Sequence, residues 1–153
     1  FLANVPGQSI TFTTNASLAN NGTVAADGST LVVQSTSWTT PGTLELGAGG
    51  VVSCGVLPLE ASSVVSTELA GTSTSTYGRI VCSGNATFDG TIAVQLGGGF
   101  TPAVGNTFDV VAYGTHTGKF STYEGLDLGA VTLAPNYLPT VFQLEATSAL
   151  AAR

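Results

Sequence analysis

The chain has 153 residues, enough for one domain that buries roughly two thirds of its unfolded surface. Only 8% of the residues are charged, and the formal net charge is -6 with Arg79, Lys119 and Arg153 as the sole cations. That leaves no basic cluster for nucleic-acid phosphates or anionic lipid and no apolar run of about 18 residues to span a bilayer, while the apolar content is too high for disorder.

Phe1 to Val5 (Phe1, Leu2, Ala3, Asn4, Val5) carries more apolar residues than a free terminus needs. It reads either as a strand tucked over its own molecule or as an arm that contacts a neighbouring subunit by strand addition. Ser9 to Thr13 alternates and predicts a strand with Ile10 and Phe12 inward. Leu18-Ala19-Asn20-Asn21-Gly22-Thr23-Val24 is then matched twenty residues later by Trp38-Thr39-Thr40-Pro41-Gly42-Thr43-Leu44, with Leu31 falling opposite Val51. Phe88-Asp89-Gly90-Thr91-Ile92 echoes the same unit. A repeated apolar residue, turn, Gly-Thr and apolar residue suggests the rungs of a β-solenoid, although ordinary hairpins produce a similar pattern. Leu57 to Ala70 reads as extended chain, because its serines and paired valines oppose the competing helix.

Arg79 to Leu96 is the longest period-two stretch. Ile80, Cys82, Gly84, Ala86, Phe88, Gly90, Ile92, Val94 and Leu96 fall on its inward phase, and Gly84 and Gly90 are expected to mark corners that keep that phase. After a Gly97 to Pro102 turn, Thr107 to Tyr113 predicts a strand with Phe108, Val110 and Ala112 inward. His116 is expected in an exposed loop before a strand over 118–123. Two last strands, 130–133 and 140–146, are expected to be split by Pro135 and Pro139. The whole is read as a single β-rich domain, residues 1–153, with the arm and rungs in 1–76 and the long strand and terminal strands in 77–153.

Cys54 and Cys82 both fall on inward phases, which predicts either a disulfide or a pair of buried, inert thiols; the disulfide is favoured by the other cues to an oxidising compartment. Asn15, Asn21 and Asn85 open Asn-x-Ser/Thr triplets and are candidate glycosylation sites, Asn85 standing on the outward phase. The absence of Met and the start at Phe1 suggest a processed or excised chain.

Tyr77 to Ile92, with Phe100-Thr101-Pro102, Gly105-Asn106-Thr107-Phe108 and Gly118-Lys119-Phe120, resembles the terminal region of right-handed parallel β-helix domains in secreted surface proteins, the autotransporter-passenger and adhesin-like group. The resemblance implies a segment that closes a β-helix stem. The fold expectation is therefore all-β: a short parallel β-helix (β-solenoid) finished by a small β-sheet or sandwich-like cap.

The chemistry-bearing residues are sparse. One histidine gives a nucleophile no regular base, and two cysteines with one histidine fall short of a zinc site. Asp89, Asp109, Glu124 and Asp127 have no spacing that pairs them, although Glu124 and Asp127 are weighed as calcium ligands and Asp109 for a pectin-degrading site. No catalytic residue, cofactor or metal is expected, and the outward phase of the long strand is not the regular Thr-x-Thr array of an ice-binding surface. The expected function is a secreted structural subunit of an extracellular fibre, coat or surface layer, assembled with copies of itself through strand pairing of subunit ends. The alternative is a cell-surface adhesion module for glycans, with Trp38, Tyr77, Tyr123 and Tyr137 as stacking platforms.

Overall fold

The computed structural model describes residues 2–13, 17–35 and 37–149. These residues form strands and turns and no α-helix. In chain order the strands are β1 (Leu2–Ala3), β2 (Ser9–Phe12) and β3 (Leu18–Ala19); β4 (Thr23–Ala26), β5 (Thr30–Val33) and β6 (Trp38–Thr39); β7 (Thr43–Leu46), β8 (Val51–Cys54) and β9 (Leu57–Pro58). They continue as β10 (Val64–Leu69), β11 (Arg79–Cys82) and β12 (Asn85–Phe88); β13 (Thr91–Leu96), β14 (Thr107–Ala112) and β15 (Thr115–Gly118); then β16 (Thr122–Glu124), β17 (Val131–Tyr137) and β18 (Val141–Ser148).

Every third strand pairs, in parallel. One sheet has the order β1-β4-β7-β10-β13-β16, a second runs β2-β5-β8-β11-β14, and a third face is made of β3-β6 and β9-β12-β15. A parallel bridge from Thr40 to Leu59 carries the third face from β6 towards β9. The chain therefore visits its sheets in one cyclic order. Antiparallel β18 pairs with β14, and β17 with β18, extending the second sheet to seven strands.

Most of the strands are short, with one or two inward residues between polar corners, while β10, β14 and β18 bury three each. Stacked in register, these make continuous apolar columns: Val24, Leu44, Val65, Ile92 and Tyr123 line up in the first sheet, and Leu31, Val52, Ile80 and Val111 in the second. Val52, Val65, Ile80, Ile92 and Val111 are fully buried. Each such side chain gains about 1.5–3 kcal/mol from leaving water.

The twenty-residue echo is a physical register, with Leu18 opposite Trp38, Thr23 opposite Thr43 and Val24 opposite Leu44. Leu31 pairs with Val52 and not Val51, because the corner before β8 holds one more residue. Arg79 to Leu96 is three strands, one on each face, turning at Gly84 and Gly90 while Ile80, Cys82, Ala86, Phe88, Ile92 and Val94 stay inward. Leu96 is the exception, at 40% exposed, since the strand outruns its cover there. Leu57 to Ala70 is extended as β9 and β10.

Three expectations are corrected. A β-bulge between Asp109 and Val111 shifts the phase of β14, so Val110, Val111 and Tyr113 are all buried and Ala112 is not. Pro135 does not end a strand but sits within β17, an edge strand, beyond the stretch at Val131 to Leu133 where its outer side bonds to 126–128, so the N–H it lacks has no strand to serve among the described residues. The segment 118–123 is not one strand, because Gly118 at φ +71 turns the chain from β15 towards β16. The later circuits are also longer than the early ones. Most of the added residues lie between the first and second sheets, in 70–78 and 97–106, where they leave the columns undisturbed.

At the corner before β13, Gly90 has φ +74, and a Cβ there would collide with the carbonyl oxygens of Ser63 and Glu60 in the circuit before. Gly55 has no atom within 4 Å of the same construction. Gly90→Ala is expected to lower the urea-unfolding free energy by about 2 kcal/mol or more. Gly55→Ala should stay within about 0.5 kcal/mol of the parent.

Candidate functional site: an open and a closed end

The two ends of the stack differ. At the N-terminal end β1, β2 and β3 are the outermost strands of their sheets among the described residues, and β2 has a described strand, β5, on one side only. Ile10 lies on the inward phase, opposite Leu31, yet is 39% exposed because no described strand covers it. Beside it opens a cavity of about 330 Å³ whose walls include Phe12, Leu18, Val24, Leu31, Trp38 and Asn20.

Asn20 organises the mouth of this cavity. Its side chain is 8% exposed, its Nδ2 donates to Thr40 Oγ1 at 3.1 Å and to Thr43 O at 2.9 Å, and its Oδ1 accepts from Gly22 N at 3.2 Å. The amide locks the corner of one circuit to the next. Sequence reading did not single out Asn20, although the alignment of Asn20 with Thr40 in the repeat holds the signal.

The arm is seated, not loose. Leu2 and Ala3 form β1 against Ala25 and Ala26 of the same chain, and Ala3 O accepts from Ser29 Oγ and Asp27 N. Leu2 and Val5 remain 56% and 59% exposed, Asn4 is exposed, and Phe1 lies outside the described residues.

The C-terminal end is closed by aromatic rings. Phe88 lies edge-on to Tyr113, Phe120 and Tyr137, with Phe142 tilted against it, at centroid distances of 5.1–5.7 Å. The hydroxyls of Tyr123 and Tyr137 are 2.7 Å apart, Phe120 N donates to Tyr137 OH at 2.8 Å, and Tyr113 OH donates to Leu138 O at 2.6 Å. His116 belongs to this plug. The expected exposed loop is in fact β15, where His116 pairs with Ala86 on the inward phase and stacks on Tyr137 at 6.0 Å, with its Nδ1 buried.

Trp38 and Tyr77, considered as stacking platforms, are core residues at 4% and 2% exposed: Trp38 Nε1 donates to Val56 O at 2.7 Å and Asp109 N donates to Tyr77 OH at 3.2 Å. Tyr123 and Tyr137 are half-buried in the plug. The four acids are dispersed, Asp89 accepting from Gly90 N, Asp127 from Gly129 N and Asp109 from Gln143 Nε2, with Glu124 on β16. Among the described residues no group of three or more His, Cys, Asp or Glu converges to hold a metal.

Cys54 and Cys82 face each other in register on β8 and β11, both buried, as free thiols and not the expected disulfide. Strand register brings them together without joining them. Their mutual hydrogen bond draws the Cys82 thiol down to about 7 and pushes that of Cys54 up, burial adding to the rise. Of the sequons, Asn21 is exposed in a turn, whereas Asn85 is half-buried, donating to Thr87 Oγ1 and accepting from Thr115 Oγ1. Asn15 lies outside the described residues.

Compared with known proteins, the sequence matches no protein-family model and no curated protein.

Burial raises the hydroxyls of Tyr77, Tyr113 and Tyr137 above the ordinary value of 10.0, most of all at Tyr137, where the Tyr123 hydroxyl adds to the effect. The folded chain thus keeps protons that the unfolded chain releases, and the stability this represents is present below pH 10 and lost as pH rises beyond it. The melting temperature should fall from pH 10 to 12, and more shallowly in Tyr137→Phe, whose neutral-pH cost is about 1–3 kcal/mol from the unpaired Phe120 N–H.

Proposed function

We propose that the protein is a short parallel β-helix, a β-solenoid with a sheet cap, that serves as an exported structural module of an extracellular or cell-surface assembly, joined to a further strand layer at its N-terminal end. The observation that carries this reading is the contrast between the ends: β2, outermost in its sheet among the described residues, beside an open apolar cavity at one, an aromatic plug and an antiparallel hairpin at the other. The cyclic strand order and in-register columns support the solenoid.

An unpaired parallel edge over an apolar interior is an adhesive surface unless charge blunts it. Among Leu2, Val5 and Ile10, which crown this end, none is charged. A second copy of the chain supplies the complementary surface, edge strand against edge strand with the two cavities facing. Joining through one end gives paired units where two open ends would give a continuous fibre. The low charge and hydroxyl-rich surface support export.

The test is sedimentation velocity of the purified chain over a wide concentration range. Concentration-dependent association is expected, weakened at least about tenfold by Ile10→Lys, which places a charge on the open edge at an exposed position and should leave the circular dichroism unchanged. Monomers at every concentration, or association indifferent to Ile10→Lys, would remove the reading.

A further inference from the structure

The thiol pair continues the column that starts at Phe12 and Val33, two walls of the open-end cavity, and lies below them in the second sheet. Cys54 and Cys82 occupy the same column of the second sheet, and neighbouring strands in a parallel ladder stand about 4.7–4.9 Å apart. Two metal–sulfur bonds of about 2.3 Å laid end to end span nearly that distance. Residues in register project side by side, so an ion between the sulfurs would lie along the stacking direction, with its two ligands opposed.

The surroundings select for such an ion. Cys54 lines a groove of about 480 Å³, together with Ser35, Ser53, Gly55, Val56 and Ser83, and no carboxylate or imidazole lines it. The chain contains no Met, and its single histidine, His116, is held in the aromatic plug. Cys82 Sγ lies 3.4 Å from Gly55 O and 3.5 Å from Asn85 O, weak neutral neighbours for a metal of soft character. Zinc wants four ligands and calcium six or more oxygens, so neither is satisfied here. Soft thiolates with no third donor suit a monovalent d10 ion that accepts two-coordinate, linear geometry.

We propose that Cys54 and Cys82 form a two-coordinate site for a soft monovalent cation, Cu(I) or Ag(I), entered from the side groove. On binding, both thiols give up their protons to solvent and the ion is held between two thiolates, so the site goes from neutral to one net negative charge and no oxidant or reductant is consumed. The sulfurs remain thiol-level ligands throughout.

The experiment uses the full chain, reduced and kept anaerobic, titrated with Cu(I) supplied as its bicinchoninate complex. One equivalent should transfer to the folded chain, and the melting temperature should rise as ligand binds the native state. Cys54→Ala and Cys82→Ala should each lose about a hundredfold or more in affinity, because each removes one of two linked donors. Copper K-edge absorption on the loaded parent, which does not depend on how the variants fold, should report two sulfur ligands and no nitrogen. Absence of transfer to the reduced parent would overturn the proposal. So would a coordination number of three or four, or either variant retaining parental affinity. Neither result bears on association at the N-terminal end, which Ile10→Lys tests separately.

Discussion

Every circuit of this chain depends on the one before it for its backbone hydrogen bonds. A strand of four residues has no stability of its own, and here its N–H and C=O groups are satisfied by strands one circuit earlier and one circuit later. Register then becomes the governing constraint, because a slip of one residue would turn every inward side chain outward. The corners enforce it. Gly90 passes so close to Ser63 and Glu60 that no side chain fits, and Asn20 ties its corner to Thr40 and Thr43 of the next circuit.

The same dependence explains the ends. A stack of this kind satisfies its middle automatically and leaves two sets of edges that need separate solutions. At the C-terminal end the chain reverses direction, laying β18 antiparallel along β14 and packing Phe88, Phe120, Tyr137 and Phe142 over the interior. The tyrosine hydroxyls are spent on one another and on backbone groups. At the N-terminal end nothing equivalent is built among the described residues, and Ile10 stands on an inward phase with no neighbour beyond it.

The inward columns were legible in the sequence because period-two alternation is local and survives the corners, and the match of Leu18 to Val24 with Trp38 to Leu44 is the register itself. What local reading missed depended on non-local partners. The bulge at Asp109 to Val111 answers the reversal of β18 against β14, and His116 is inward only because β15 lies on β12. Pro135 looked like a terminator, but it lies on an edge where a missing N–H costs nothing. The proximity of Cys54 and Cys82 was legible from their phases; that they stand as free thiols was not. Asn20 was hidden because a polar residue inside a repeat reads as surface until its three hydrogen bonds are seen.

The lengthening of later circuits has a consequence for how such a chain can change. Most of its additional residues lie in one corner, in 70–78 and 97–106, and β10 and β13 remain paired in unbroken register between them. Doubling a loop costs only about 0.6 kcal/mol in closure entropy. That corner is thus a seam along which foreign sequence can be inserted, one circuit above another, without disturbing the columns that hold the molecule together.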